Sequence, residues 1–313
     1  MLDMTLPSKR ILAFGNPVYD MITTPVISTG ERILSGCSTN ACLAFSRLGY
    51  PSTLVGGVGA DYRDRLEREL HSCGINTHLF QTHQTGGFAL NYLDDQGNRT
   101  LSILGIADPL PSDLIPADSA GFILLGPILS EISLELVKNL RKKYSVPILL
   151  DPQGLLRTIR DGSVFHEISQ SFIDIAALST IIKANEVETL VATGINARQH
   201  PQEAVKALSN YGCTIAIVTL AEAGSIIYDG QSIYVIPPYT THALDPTGAG
   251  DTYAAGFIVK YMETPGNLTV VGCFASAVAS VMVENLGPGF PLTRQEANQR
   301  AEFLQAGPLQ LKL

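Results

Sequence analysis

Apolar residues along this chain recur with two different periods, and the switches between them mark its elements. Arg10–Phe14 is an apolar run closed by Gly15, a first strand ended by a turn residue. Between Leu34 and Gly49 the period becomes helical, with Ala41, Cys42, Ala44, Phe45 and Leu48 on one face and Gly49 where a helix-ending glycine belongs. Thr53–Val58 then predicts a second strand and Asp61–Cys73 an amphipathic helix. Phe88–Leu93 and Thr100–Leu104 alternate on either side of Asp94–Asn98, which predicts a β-hairpin. With no helix beside it, such a ribbon must pack on something, so it is expected in a small accessory sheet.

From Gly121 onward the alternation is regular. Strands are predicted at Phe122–Leu125, Pro147–Leu150, Ala177–Ile182 and Thr214–Thr219, and a hairpin at Ser225–Tyr228 with Ser232–Ile236. Helices are predicted at Glu131–Tyr144, Pro201–Tyr211, Thr252–Tyr261 and Leu268–Glu284, and Thr293–Glu296 reads as a capping box opening a last helix. Strands alternating with helices imply an α/β fold with a mainly parallel central sheet covered on both faces. No repeat or linker interrupts residues 1–313, so one domain with an appended small sheet is expected. In such sheets ligands lie outside the carboxyl ends of the strands. The segments to question are therefore Gly15–Asp20, Asp151, Lys183–Glu188, Thr219–Gly224 and Asp245–Asp251.

Composition narrows the classes. In 313 residues, 45% are hydrophobic and only 16% charged, against a usual ~25% charged, which excludes a disordered or fibrous chain. The formal charge of −8, from 29 acidic and 21 basic residues, argues against nucleic acid or an anionic membrane as partner. Backbone N–H groups at a helix end can still bind a small anion. Five scattered cysteines without a C-x-x-C pair fit neither a disulfide framework nor a zinc ribbon. The first ten residues are unlike a secretory leader and Thr269–Val283 is too short to span a bilayer, so a cytoplasmic location is expected.

The strongest local pattern is Asp245-Pro246-Thr247-Gly248-Ala249-Gly250-Asp251. Glycines flanking an alanine before a helix let a ligand approach the unpaired N–H groups of the first turn. These residues alone fit two readings. Asp251 either takes a proton from a nucleophile while the N–H groups stabilise charge on a transferring group, or it merely complements the helix dipole beside a glycine turn.

The same segment resembles the D-[TP]-T-G-A-G-D signature of the ribokinase-like sugar kinases, the PfkB family. Three further motifs stand upstream in the family's order. Ser35-Gly36-Cys37-Ser38-Thr39-Asn40, leading to Leu48-Gly49, is similar to G-G-x-x-x-N…L-G; Val55–Asp61 is similar to V-G-x-V-G-x-D; and Asn185-Glu186-Val187-Glu188 is similar to N-x-x-E.

The resemblance implies a three-layer ribokinase-like fold and an ATP-dependent phosphotransferase acting on a hydroxyl of a small sugar, polyol such as inositol, or nucleoside. By the same resemblance Asp251 would be the general base, and the N–H groups of Gly248, Ala249 and Gly250 the anion hole. Asn185 and Glu188 would organise Mg²⁺ through water, with Thr219 and Gly224 on the nucleotide. Taken alone, Asn185 and Glu188 read as an exposed helix turn. Asp20, Gly36, Asn40 and Arg99 would contact the acceptor, although Asp20 alone reads as a surface loop acid. Asp245 and Thr247 match positions that hold K⁺ in ribokinase. Segments 16–38 and 82–104 would form a β-sheet lid through which family members pair, so a homodimer is expected.

Several departures matter. Ser35-Gly36-Cys37-Ser38 stands where the phosphofructokinase-like and ribokinase branches have Gly-Gly-Lys-Gly, and Cys37 in place of a cation disfavours a phosphorylated sugar. Thr219–Gly224 carries Ala221 at the first glycine of the family's T-x-G-x-x-G. Asp151–Arg157 is weakly similar to inositol-kinase-like and nucleoside-kinase-like members. Outside the kinases, a regulatory sugar-binding protein that has lost catalysis is the competing reading. A dinucleotide-binding enzyme fails because Gly57–Tyr62 lacks the third glycine of the fingerprint.

Overall fold

A computed structural model describes residues 8–93 and 99–311. In chain order it begins with β1 (Ile11–Phe14), β2 (Val18–Thr23), β3 (Ile33–Ser35), α1 (Cys37–Arg47), β4 (Ser52–Gly59), α2 (Arg63–Ser72) and β5 (Asn76–Thr82). There follow β6 (Gly87–Tyr92), β7 (Arg99–Gly105), β8 (Phe122–Leu125), α3 (Leu134–Lys143), β9 (Ile148–Leu150), β10 (Arg157–Arg160) and β11 (Ser163–His166). Then come α4 (Gln170–Ala177), β12 (Ile181–Asn185), α5 (Glu186–Thr193), α6 (Pro201–Ser209) and β13 (Ile215–Thr219). The chain closes with β14 (Ser225–Tyr228), β15 (Ile233–Ile236), α7 (Ala249–Glu263), α8 (Leu268–Val283) and α9 (Arg294–Ala306).

The main sheet has nine strands in the order β15-β14-β13-β12-β9-β8-β1-β4-β5. From β13 to β5 all neighbours pair parallel, and only β14 and β15 run antiparallel at one edge. Alternation along β1 explains the layers. Ile11 and Ala13 join the core shared with α1, α2, α7, α8 and α9, whereas Leu12 and Phe14 join the core shared with α3, α4, α5 and α6. The fold is therefore the expected three-layer α/β arrangement.

A second sheet, in the order β3-β2-β6-β7, stands apart from the first. Its hairpin is the predicted one, β6 pairing antiparallel with β7, while the turn residues 94–98 lie outside the described residues. Val18, Ile22, Phe88, Leu90 and Tyr92 of this sheet pack with Cys37 and Ile128 of the main body. A third, two-stranded ribbon, β10-β11, was not anticipated. Its signal was Asp161-Gly162, a dipeptide whose two residues take φ of 51° and 76° as a tight hairpin turn requires.

Two other readings need correction. Ala177 ends a helix instead of opening a strand: the Ser169 hydroxyl caps α4, and Phe172, Ile175 and Ala176 bury one face of it. Strand β12 begins four residues later, at Ile181. At α9 only half of the capping box exists, because the Glu296 carboxylate is drawn to Arg300 at 2.7 Å. No helix among the described residues is long and apolar enough to cross a membrane, and the five cysteines are free thiols.

Candidate active site

Asp151 after β9, Lys183 within β12, Cys37 at the start of α1 and Asp251 at the start of α7 come together in one largely buried group. Helix α7 begins after Gly248, which has φ 82° and would place a β-carbon 3.0 Å from Asn40 Nδ2 and 2.9 Å from Met282 Cε. The left-handed backbone there favours glycine, and an added side chain would also press on the tips of Asn40 and Met282. The N–H of Ala249 donates to Pro246 O at 3.2 Å, so it is turned into the protein. No hydrogen bond engages the N–H of Gly248 or Gly250 among the described residues. Two of the three expected anion-hole donors are thus open at the helix end.

Asp251, in the first turn of α7, is held by Asn40, whose Nδ2 donates to Oδ2 at 2.9 Å. Asn40 belongs to the first turn of α1 and its own N–H donates to Gly36 O at 2.8 Å. Gly36, Asn40 and Asp251 therefore form one connected unit. Burial raises the proton affinity of Asp251, the charge of Asp151 raises it further, and Asn40, Lys183 and Cys37 pull it part of the way back.

Sequence reasoning left two residues of this group unassigned. Lys183 Nζ donates to Asp151 Oδ2 at 2.5 Å, and both side chains are almost wholly buried. Cys37, Asp151 and Asp251 bring a thiol and two carboxylates within 4.8 Å of one another, a set that could offer ligands to a metal. Lys183 supplies a positive charge to one of the two carboxylates, Asp151. The signals were a lone lysine in the apolar run Ile181-Ile182-Lys183-Ala184 and an aspartate directly after a strand.

Asn185 and Glu188 form a complete capping box at the start of α5. The N–H and Nδ2 of Asn185 donate to the two Glu188 oxygens, each at 2.8 Å, and the Glu188 N–H returns a bond to Asn185 Oδ1. Glu188 is 5% exposed whereas Asn185 is exposed, so only the glutamate departs from the exposed turn the spacing alone suggests. Burial and the neighbouring Asp151 push the Glu188 carboxyl up to about 7. Its remaining lone pairs could still accept from the water shell of a cation.

Thr219 ends β13 in register with Asn185 on β12, which places the two expected nucleotide residues side by side. Ala221 has φ 48°, the conformation for which the family uses glycine. Gly224 is buried against Ile236, whose carbonyl oxygen would lie 2.3 Å from a β-carbon, so it serves the packing of this turn.

The remaining expected residues are more dispersed. Asp20 lies within β2 and is 4% exposed, accepting the Phe88 N–H at 2.7 Å, so it is neither a loop nor a surface residue. Arg99 opens β7, and its side chain lies outside the described residues. Asp245 Oδ1 accepts the Thr247 N–H at 2.9 Å, and the Thr247 hydroxyl meets the Tyr92 hydroxyl at 2.8 Å. The Tyr92 contact also ties the small sheet to the α7 loop.

A sequence profile described as pfkB family carbohydrate kinase matches residues 10–295. The chain belongs to this family. Among curated pfkB-family and related proteins it is 28% identical over 284 residues to a ribokinase of Arabidopsis thaliana, spanning 84% of this chain and 71% of that one. It is 28% identical over 301 residues to a nucleoside kinase of Methanothermobacter thermautotrophicus, spanning 89% and 91%. Among solved structures, a pyrophosphate-dependent kinase in the ribokinase family, complexed with a pyrophosphate analog and myo-inositol, superposes with a TM-score of 0.80 at 20% identity. That match covers 92% of this chain and 99% of the other. The pfkB-family chain is thus a kinase with a ribokinase-like fold.

Proposed function

We propose that this pfkB-family kinase transfers the γ-phosphoryl group of ATP to a hydroxyl or hydroxymethyl group of a small unphosphorylated sugar, a polyol such as inositol, or a nucleoside. The observation that carries this reading is Asp251, held by Asn40 at 2.9 Å beside the open N–H groups of Gly248 and Gly250. In the step itself the acceptor oxygen bonds to the γ-phosphorus and the bond to the β–γ bridging oxygen breaks. The bridging oxygen leaves with its electron pair on ADP, and the acceptor proton passes to an Asp251 oxygen. The open N–H groups stabilise charge on the transferring group.

On the acceptor side the reading uses Asp20, Gly36, Asn40 and Arg99. On the donor side it uses Asn185, Glu188, Thr219 and the Thr219–Gly224 turn. Glu188 and Asn185 fit a hydrated Mg²⁺, which would offset the phosphate charge. A K⁺ role for Asp245 and Thr247 is an arm of the test below. The small sheet would act as a lid, since its Tyr92 already touches the loop that carries the anion hole. Met21, Val26, Ile27, Leu93 and Leu104 leave apolar area exposed on it, which suits pairing with a second copy.

Ribokinase, nucleoside kinase and a myo-inositol complex among the relatives set the panel for the test. Coupled assays of donor turnover across pentoses, hexoses, inositols and nucleosides, with ATP or pyrophosphate and with or without K⁺, should find one acceptor class phosphorylated. Binding of an acceptor with no phosphoryl transfer from either donor would instead favour a regulatory sugar-binding protein.

A further inference from the structure

Lys183 interrupts an apolar strand and is 2% exposed. An ammonium in such a place needs a partner, and Asp151 supplies it at 2.5 Å while being 2% exposed itself. A buried pair of this kind gives the fold little that two apolar residues could not. A second observation concerns its position. A β-carbon added to Gly250 would lie 2.8 Å from Lys183 Nζ, so the ammonium sits directly against the loop whose N–H groups are open.

We propose that Lys183 binds the transferring phosphoryl group together with the N–H groups of Gly248 and Gly250, and that Asp151 is the positioning residue that keeps its ammonium aimed there. This rests on the phosphotransferase reading above. A lysine is a compact point charge on a flexible stem, able to keep Asp151 on one side while meeting a phosphoryl oxygen on the other. Phosphoryl transfer spreads negative charge over the equatorial oxygens of the moving group, where a fixed cation is most effective. The 2.5 Å ion pair with Asp151 holds the ammonium in this buried place. A side chain on Gly250 would press on the ammonium and displace it from the loop.

The test compares Lys183→Met, Asp151→Asn, the double variant and Lys183→Arg. Each charge-removing single variant strands a buried charge and should lose stability, whereas the double variant removes both and should melt close to wild type. In the folded double variant, kcat should fall about 100-fold or more. The rise in melting temperature given by inorganic pyrophosphate or MgATP should disappear, and Lys183→Arg should stay within about tenfold of wild type, since a cation is restored. A double variant with kcat within about threefold of wild type and an unchanged donor KM would show the pair to be structural and overturn the proposal. If the double variant does not fold, Gly250→Ala, which displaces Nζ while keeping both charges, should give the same loss, and unchanged turnover there would overturn the proposal. If wild-type protein phosphorylates nothing in the panel, the phosphotransferase reading fails and the melting arm still decides. A pyrophosphate shift present in wild type and absent from the double variant supports the anion contact, and equal shifts, or none in wild type, reject it.

Discussion

Asn40 and Asp251 lie 211 residues apart in the chain and meet through a 2.9 Å hydrogen bond. The bond joins the first turn of α1 to the first turn of α7, two helices that pack on the same face of the sheet. It also opposes the burial that raises the proton affinity of the carboxyl. Asn40→Ala should therefore act in two ways. Losing a hydrogen bond to a charged group, worth about 1.5–3 kcal/mol, should lower plateau kcat by about 10- to 100-fold. The acid limb of the kcat–pH profile should move to higher pH, because Asp251 then holds its proton more tightly. A profile of reduced height whose acid limb stays at the wild-type pH would contradict this.

Tyr92→Phe removes the hydroxyl that joins the small sheet to Thr247 and leaves the ring. Loss of one neutral hydrogen bond should cost about 1 kcal/mol of stability, read in denaturant unfolding. If the small sheet closes over bound substrates, kcat/KM for the acceptor should also fall about five- to tenfold. Unchanged acceptor kinetics in a destabilised variant would leave the contact a purely structural one.

Glu188 makes stability depend on pH with a defined sign. Its folded carboxyl is pushed up to about 7 from an ordinary 4.5, so the native state binds this proton more tightly than the unfolded chain does. The group's contribution is fully present below about 4.5 and is lost as pH rises through about 7. Glu188→Gln keeps a side chain compatible with the capping box and removes the titration. The melting temperature of wild type relative to this variant should therefore fall between pH 4.5 and 7.5, and a rising or flat difference would show that the carboxyl is not held neutral.

The layers of the fold were legible because period-2 and period-3.6 runs alternate cleanly from Phe122 onward and because glycines punctuate them. The mistaken strand at Ala177 arose where a short amphipathic helix runs into an apolar strand with only Leu178, Ser179 and Thr180 between. There the apolar run continues across the boundary, and only the Ser169 cap marks the helix. Asp251, Asn40 and Glu188 were singled out as candidates because they stand in motifs local in the chain. Asp151 and Lys183 escaped assignment because their pairing depends on β9 and β12 being sheet neighbours, which strand order fixes and spacing does not. The Tyr92–Thr247 contact was equally hidden, because Tyr92 reaches the loop from the other sheet.

The central claim is that Asp251 takes the acceptor proton, and Asp251→Asn tests it most directly. The amide keeps the size of the side chain and can still bond to Asn40 after a flip, so the loop and donor binding should survive. The measurement is kcat with the best acceptor of the panel, alongside the melting-temperature shift given by MgATP. A fall in kcat of about 10³-fold or more with the shift retained is the predicted result. Turnover close to wild type would contradict the assignment of Asp251 as the base.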